Sequence, residues 1–370
     1  MPRFPFAGFL TLALLAGLAA PLRAEPTSDD YRKLNAAVVE RHIVPRYKAL
    51  ATATADLSRT AEAFCKTPDA AGLAALKAAF LKGVDSWQAI QHVRFGPAEL
   101  FMRSMRMAFW PDPRDTAGRQ LEQVLAKRDK SAIDPKEFAD HSVAVQGFPA
   151  LERLLYDDDA EKALLAKDAG GAFRCAFAAA VAQNLKTVAA DLVRDWTEGA
   201  RPFAKIVAEG NADPYRTPKE STLELFKCLH TAVELVADHK LKKPLGPVVK
   251  RARPKLAESW RSRHSLANVR TNLAAAEAMY LGEGGAGFSA FVKSVAGKKD
   301  LDDLLRRAFA QTRGTAASVE GSLAEAIVAK DERPKVERLQ TEAAALKAIL
   351  AKDLTAALGI PLGFNALDGD

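Results

Sequence analysis

Glu152 is the residue of this sequence whose surroundings most directly predict chemistry. Gly147 and Pro149 interrupt an apolar stretch and restart a helix, with proline suited to its first turn. Glu152 therefore falls in the first turn of that helix, where unpaired backbone amides favour a negative charge. Leucines at positions 151, 154 and 155 flank it, so the carboxylate is predicted to be partly buried and to need a cation or a metal. Both roles stay open: a charge that stabilises its own helix, or a binding group.

Two further segments carry aromatic and polar residues that a plain helical bundle does not require. One runs from Trp87 to Pro113 and the other from Lys240 to Ser262. We expect residues of both segments to meet Glu152 in one pocket, with tryptophans as walls and arginines that neutralise the acids or hold an anion. Glu152 and Glu99 would be its acidic groups and the metal ligands, if a metal binds. The candidate ligand-binding residues are Trp87, Arg94, Glu99, Gln146, Gly147, Glu152, Trp260 and Arg261.

Helical periodicity dominates the segments that must position these residues. Apolar side chains recur at alternating steps of three and four, and alternating β-branched runs bounded by turns are absent from the sequence. The pattern predicts an all-α protein whose helices pack as bundles. The clearest apolar stripes are Leu73, Leu76, Phe80, Val84, Trp87 and Ile90, and then Phe173, Phe177, Val181, Leu185, Val188, Leu192 and Trp196.

A cluster of Gly, Asn, Asp and two prolines between Glu209 and Pro218 predicts a boundary between two halves. We expect an N-terminal helical bundle over 25–205, a C-terminal bundle over 215–360 and a tail at 361–370. Weak internal similarity suggests pseudo-symmetry between the halves. The tripeptide Asp85–Trp87 recurs as Glu258–Trp260, and coincidence explains that match about as well as duplication does.

Composition and charge exclude several classes of protein. Of 370 residues, 48% are hydrophobic and 27% charged, which is an ordinary globular composition rather than a disordered or multi-span membrane chain. Lys plus Arg number 53 against 46 acids, a formal charge of +7. The first 24 residues hold two arginines and no acid, so without them the charge is 51 − 46 = +5. An excess this small does not indicate a nucleic-acid-binding protein.

The N-terminus has the pattern of an export signal. Arg3 precedes an almost wholly apolar stretch from Phe4 to Leu22, and Ala24 stands just before a polar segment. We predict a signal peptide over residues 1–24, and an uncleaved anchor is the alternative. The mature protein is expected in the periplasm and not embedded in a membrane.

Export makes a disulfide possible, because secreted proteins mature in an oxidising compartment. The cysteines are Cys65, Cys175 and Cys228. Cys65 precedes a predicted helix start and Cys175 lies near another, so two helix N-termini at one end of a bundle would bring them together. We favour Cys65–Cys175 as the pair with Cys228 in the core, although the sequence leaves the pairing open.

Four motifs, in this order along the chain, resemble the imelysin family: Trp87–Pro97, Gln146–Leu155, Lys240–Gly246 and Glu258–Ser262. The resemblance implies an exported protein of two four-helix-bundle-like halves related by pseudo-symmetry, with a site where they meet. It also implies an association with bacterial iron uptake, and some members of the family have been classed as metallopeptidases.

The chain departs from the pattern of the family at one metal ligand. The motif Gly-x-His-x-x-Glu places His and Glu on one helix face, where they can hold one metal. Pro149 stands at the histidine position, so only Glu152 carries over. The peptidase assignment and the metal site therefore lose their main support.

Three hypotheses remain. The first is a periplasmic component that binds a ligand or metal between its bundles, with iron or another divalent metal and iron-uptake proteins as its expected partners. The second is a metallopeptidase that uses Glu152. The third is a structural scaffold in which Arg94 or Arg261 pairs with Glu152 as a buried ionic lock.

Overall fold

The structure is a computed structural model that describes residues 25–360. Over these residues the chain is helical and contains no β-strand; a single isolated bridge pairs Ala212 with Tyr215. The all-α prediction is therefore confirmed. The predicted signal peptide (1–24) and the tail (361–370) lie outside the described residues.

The first part of the described chain contains three long helices and several short ones. They are α1 (Ser28–Val38), α2 (Val44–Lys66), α3 (Ala70–Gln88), α4 (Arg103–Met107), α5 (Thr116–Lys127), α6 (Phe148–Tyr156), α7 (Ala160–Leu165), α8 (Ala169–Thr197) and α9 (Phe203–Glu209). A π-helical turn at Val39–Ile43 joins α1 to α2 without a break. Asp69 caps α3 and Asp168 caps α8, each accepting from a backbone N–H three residues later.

The second part is built in the same way. Its helices are α10 (Pro218–Glu234), α11 (Lys243–Leu245), α12 (Ser265–Leu281), α13 (Phe288–Ala290), α14 (Lys299–Ser318), α15 (Leu323–Ala326), α16 (Arg333–Ile349) and α17 (Thr355–Leu358). A π-helical segment at Leu235–Lys242 connects α10 to α11. No helix within residues 25–360 is both long and apolar enough to cross a membrane.

The apolar stripes pack against one another as the periodicity predicts. Helix α2 lies against both α3 and α8. The stripe of α8 ends at Trp196, which is fully buried and stacks on Tyr47 of α2 at a centroid distance of 5.9 Å. The middle of α3 lies beside α6, where Phe80 and Phe148 meet edge to face.

Helix α1 packs on the second part of the chain as well as on the first. The hydroxyl of Tyr31 donates to the carbonyl of Leu358 at 2.9 Å, and the Asn35 amide donates to the carbonyl of Pro218 at 2.8 Å. One buried core runs through both parts, and a second apolar cluster is formed by residues after 235 alone. The division into bundles at residues 205–215 and their pseudo-symmetry stay predictions.

A disulfide joins Cys65 to Cys175, and Cys228 is free and buried, so the favoured pairing is confirmed. The two cysteines do not both lie at helix N-termini, as the sequence suggested. Cys65 lies in the last turn of α2, not at a helix N-terminus, and Cys175 lies in the second turn of α8. The two meet because α2 and α8 pack antiparallel, which brings the end of one beside the start of the other.

Candidate functional site

A cavity of about 780 Å³ lies where the two parts of the chain meet. Helix α3 and the segment 108–113 contribute one wall, and α6 contributes a second. Residues 255–261, which precede α12, close a third side. The volume is that of a small-molecule pocket rather than of a bare-ion site.

Glu152 lines this cavity from α6, although its side chain is almost fully enclosed, with the residue only 5% exposed. Its Oε1 accepts hydrogen bonds from the backbone N–H of Ser262 at 2.8 Å and from the Ser262 hydroxyl at 2.7 Å. Its Oε2 has no hydrogen-bond partner among residues 25–360. Burial raises the pKa of Glu152, while the Ser262 hydrogen bonds and the nearby Arg261 act in the opposite direction.

The start of α6 is fixed by close packing at Gly147. A side chain at this position would meet the carbonyl oxygens of Met107 and Arg106 at 2.5 and 2.8 Å. The absence of a side chain at Gly147 therefore lets the end of α4 approach the start of α6. Together with Pro149 at the first turn, this contact sets the direction of α6 and hence the position of Glu152.

The partner of Glu152 sits on a tight turn at residues 259–263. Ser259 and Arg263 both adopt positive φ, at 55° and 60°, a region that costs free energy for non-glycine residues. The turn is also tied to α3, because His264 Nε2 lies 2.7 Å from Asp85 Oδ1. This backbone geometry aims both donors of Ser262 at one carboxylate oxygen.

A buried polar network lies next to the cavity. The Lys240 ammonium donates to Glu258 Oε2 at 2.5 Å and also to the Gln88 side chain. Glu258 Oε2 accepts a second hydrogen bond, from Asn268 at 3.1 Å. Burial lowers the pKa of Lys240, and Glu258 opposes that shift. The Lys240 nitrogen lies 5.7 Å from the ring centre of Trp110, which lines the cavity.

Tryptophans form much of the apolar wall, as expected for Trp87 and Trp260. The guanidinium of Arg261 lies over the ring of Trp260, 4.4 Å from its centre. Arg261 donates to Asp157 rather than to Glu152. The Glu152–Arg261 pair, one of the two pairings in the ionic-lock hypothesis, is therefore wrong, because Arg261 pairs with Asp157 at the end of α6.

Four of the eight candidate residues line the cavity, namely Trp87, Glu152, Trp260 and Arg261, and the other four do not. Arg94 is largely buried and donates to the carbonyl of Gln91 at 3.2 Å. Glu99 is exposed. Gln146 is buried and accepts from Arg106 at 2.9 Å, so it supports the loop before α6. Gly147 acts through backbone packing, as described above.

The metal pair expected from the sequence is not assembled either. Glu152 lies in the cavity wall, whereas Glu99 lies outside it and has Glu224 as its charged neighbour. Among residues 25–360, no group of three or more His, Cys, Asp or Glu side chains is placed to hold a metal ion. The protein side chains here do not fit a multi-ligand metal centre.

Sequence reasoning missed Trp110, Lys240 and Ser262 as individual site residues. All three fall within the two segments that departed from bundle patterning, which was the available signal. The missing information was the turn at Ser259–Arg263, because no local pattern predicts positive φ at a serine and an arginine.

The fold and the site together define an all-helical protein with a buried carboxylate at an aromatic cavity between two sets of helices. The chain belongs to the imelysin family, whose model, described as Imelysin, matches residues 43–350.

A curated relative and two solved structures extend this assignment. The chain is 25% identical over 295 residues to iron-regulated protein A of Synechococcus elongatus, covering 77% of this chain and 72% of the relative. An imelysin-like protein from Psychrobacter arcticum 273-4 superposes with a TM-score of 0.75 at 20% identity, over 93% of this chain and all of that one (100%). A protein assigned as an iron-regulated protein A precursor from Parabacteroides distasonis ATCC 8503 gives 0.75 at 17% identity, over 90% and 96%.

Proposed function

We propose that this protein is an exported ligand-binding component linked to bacterial iron uptake, and that its ligand occupies the cavity at Glu152. One observation carries the proposal. Glu152 has one carboxylate oxygen held by Ser262 and the other without a protein partner at an aromatic cavity of about 780 Å³. Because that second oxygen is not fully enclosed, a donor or cation in the cavity can reach it and complete the carboxylate.

The size of the cavity and its donors favour an iron complex over a bare ion. A bare ion needs several protein ligands, and among residues 25–360 no three His, Cys, Asp or Glu side chains are grouped to hold one, although further carboxylates line the cavity. A chelated iron brings its own ligands, fills a volume of this size and stacks on aromatic walls such as Trp87 and Trp260. Iron is therefore proposed as cargo, carried within an organic complex.

Family membership and the relatives supply the iron context. The curated relative is named an iron-regulated protein, and one structural neighbour is assigned as a precursor of such a protein. The Cys65–Cys175 disulfide supports maturation in an oxidising compartment, in agreement with the export pattern of residues 1–24.

Tryptophan fluorescence gives a direct test, because three of the four tryptophans line the cavity: Trp87, Trp110 and Trp260. We would titrate the purified protein with ferric citrate and with a ferric hydroxamate, using each iron-free chelator as the blank. We expect saturable quenching with an iron complex and at least about tenfold weaker binding in Glu152→Gln. Glutamine keeps an acceptor for Ser262 but replaces the second oxygen with an NH₂ donor, so this variant removes the charge and the spare acceptor together.

Glu122→Gln, on the exposed face of α5, is the matched control and should bind as the wild type does. Elemental analysis of the desalted protein, and its expression with and without iron, complete the test. Quenching by the iron-free chelators alone, or equal binding by Glu152→Gln, would overturn the proposal. Hydrolysis of casein that is lost in Glu152→Gln would replace it with the peptidase hypothesis.

A further inference from the structure

A strongly basic loop projects beside the cavity. Between residues 239 and 257 the sequence contains no Asp or Glu, and six of its Lys and Arg side chains are exposed. We call residues 242–255 the basic loop. Its exposed cations are Lys242, Lys243, Lys250, Arg251, Arg253 and Lys255.

The positive charge of the basic loop is not neutralised within the described chain. None of its six exposed cations forms an ion pair with a carboxylate among residues 25–360. Acids on the neighbouring elements are already engaged, since Glu325 pairs with Arg263 and Glu332 pairs with Lys335. Lys243 and Lys255 line the cavity, which also has carboxylates in its wall, whereas Lys242, Lys250, Arg251 and Arg253 do not. The charge of these four is therefore available to an external partner.

Two apolar side chains stand at the tip of the basic loop. Val248 and Val249 are 53% and 48% exposed, directly before Lys250. A third exposed valine, Val328, lies on a neighbouring segment. Arg333 links that segment to the basic loop, because its Nη1 donates to the carbonyls of both Ile327 and Leu245. Adjacent exposed apolar residues within a basic surface indicate an interaction site.

The loop is held in shape at its base. The guanidinium of Arg333 donates to the carbonyls of Leu245 and Gly246 at 3.0 and 3.2 Å. The backbone N–H of Arg253 donates to the carbonyl of Pro244 at 2.7 Å, which closes the loop. Because these contacts already order the base of the loop, binding through the valines should lose little further conformational entropy of the chain.

We propose that the basic loop docks the protein on an anionic lipid surface, with Val248 and Val249 inserted among the acyl chains. Lys and Arg side chains are attracted to phosphate headgroups, and small apolar side chains between them add burial at the interface. An acidic protein surface would also attract the cations, but it offers no acyl chains in which the two valines could be buried. The combination of unpaired cations and exposed valines therefore favours lipid.

Docking in this way also orients the cavity. Lys243 and Lys255 belong to the basic loop and also line the cavity. A protein held through this loop therefore presents the cavity close to the membrane, where a transport protein would receive or deliver the ligand. This consequence does not depend on which ligand the cavity binds.

Co-sedimentation with vesicles tests the proposal. We would compare vesicles of phosphatidylcholine alone with vesicles that also contain phosphatidylglycerol, using purified wild type and variants. Each lost cation should weaken binding to the anionic vesicles by about fivefold, so Lys250→Gln/Arg251→Gln should lose about 25-fold. The matched control Lys127→Gln/Lys130→Gln removes two exposed cations near α5 and should bind as the wild type does.

A second variant, Val248→Ser/Val249→Ser, keeps the charge and should also weaken binding to the anionic vesicles. Every variant would be purified in its mature form, without the predicted signal peptide at residues 1–24, so that the apolar N-terminal stretch does not bind the vesicles. Equal binding to both vesicle types, or equal losses in the Lys127/Lys130 control, would overturn the proposal. So would wild-type binding by the valine variant, or binding to poly-glutamate without binding to anionic vesicles, which would indicate an acidic protein partner.

Discussion

Glu152 Oε1 accepts two hydrogen bonds from one residue, Ser262, which lies 110 positions later in the chain. The two residues belong to the two parts of the protein that form the cavity. The hydrogen bonds from Ser262 stand in place of the ion pair with an arginine that the apolar surroundings of Glu152 suggested. A neutral donor pair leaves the carboxylate charge only partly compensated, and this has measurable consequences for stability and pH dependence.

Replacing Glu152 with alanine should cost about 1–3 kcal/mol of unfolding free energy, because the part-buried backbone N–H of Ser262 loses its acceptor and the Ser262 hydroxyl keeps only the Ser259 carbonyl. A buried ion pair with an arginine would predict more, about 3–5 kcal/mol. Urea unfolding followed by circular dichroism distinguishes the two values. Glu152→Gln is the control and should cost less than Glu152→Ala, since its amide oxygen still accepts from Ser262. An alanine cost in the higher range would contradict the hydrogen-bond description.

The pKa of Glu152 predicts how stability varies with pH. Burial raises this pKa above its ordinary value of 4.5, so the folded protein holds the proton more tightly than the unfolded chain. The resulting stabilisation is complete below the pKa that Glu152 has in the unfolded chain. It is lost as the pH rises through the higher pKa that Glu152 has in the folded protein. Glutamine does not titrate. The unfolding free energy of Glu152→Gln minus that of the wild type should therefore rise as the pH increases from about 4 to about 7. A difference that stays constant or falls over this range would contradict the raised pKa.

Sequence patterns predicted the helices and the burial of Glu152, because apolar periodicity and flanking leucines are local signals. They did not predict which donor would meet it. Arg94 or Arg261 was the partner in the ionic-lock hypothesis, yet the positive-φ turn at Ser259 and Arg263 aims Ser262 at the carboxylate, and Arg261 pairs with Asp157. Such a turn depends on tertiary contacts, including the one between His264 and Asp85.

Glu99 shows the same limit at another position. Its place in an aromatic and basic segment suggested a pocket acid, but α3 ends at Gln88 and Glu99 lies between two short 3-10 turns, Gly96–Ala98 and Leu100–Met102. Phe101 and Met102 adopt positive φ, and Glu99 stays exposed. Composition identified the segment as unusual, whereas the direction of each side chain follows from backbone torsions that are not encoded in residue type alone.

Loss of the Cys65–Cys175 disulfide should destabilise the protein by about 2–4 kcal/mol, since the bond constrains an unfolded chain. The bond closes a sequence separation of 110 residues. We expect dithiothreitol to lower the urea midpoint of the wild type to that of Cys65→Ala/Cys175→Ala and to leave the variant unchanged. Cys228→Ala is the control and should keep the full response to the reductant. A double variant as stable as the oxidised wild type would contradict this prediction.

Burial should decide the energetic role of the Lys240–Glu258 ion pair. Its side chains are 2% and 7% exposed at an N–O distance of 2.5 Å. The Lys299–Asp303 pair has the same distance of 2.5 Å, but its side chains are 66% and 38% exposed. Lys240→Met leaves Glu258 buried without its cation, so we expect a loss of about 3–5 kcal/mol in urea unfolding. Lys299→Met leaves the Asp303 carboxylate in contact with water, so it should change the urea midpoint little.

A double-mutant cycle separates the charge penalty from the packing of Lys240. In the Lys240→Met background, Glu258→Gln removes the uncompensated charge but keeps an acceptor for Asn268, so it should restore much of the lost stability. In the wild-type background the same change leaves Lys240 without its carboxylate and should destabilise the protein. Opposite signs in the two backgrounds are the expected result. If Glu258→Gln destabilises both backgrounds equally, the carboxylate acts through hydrogen bonding alone and the pair carries no charge coupling.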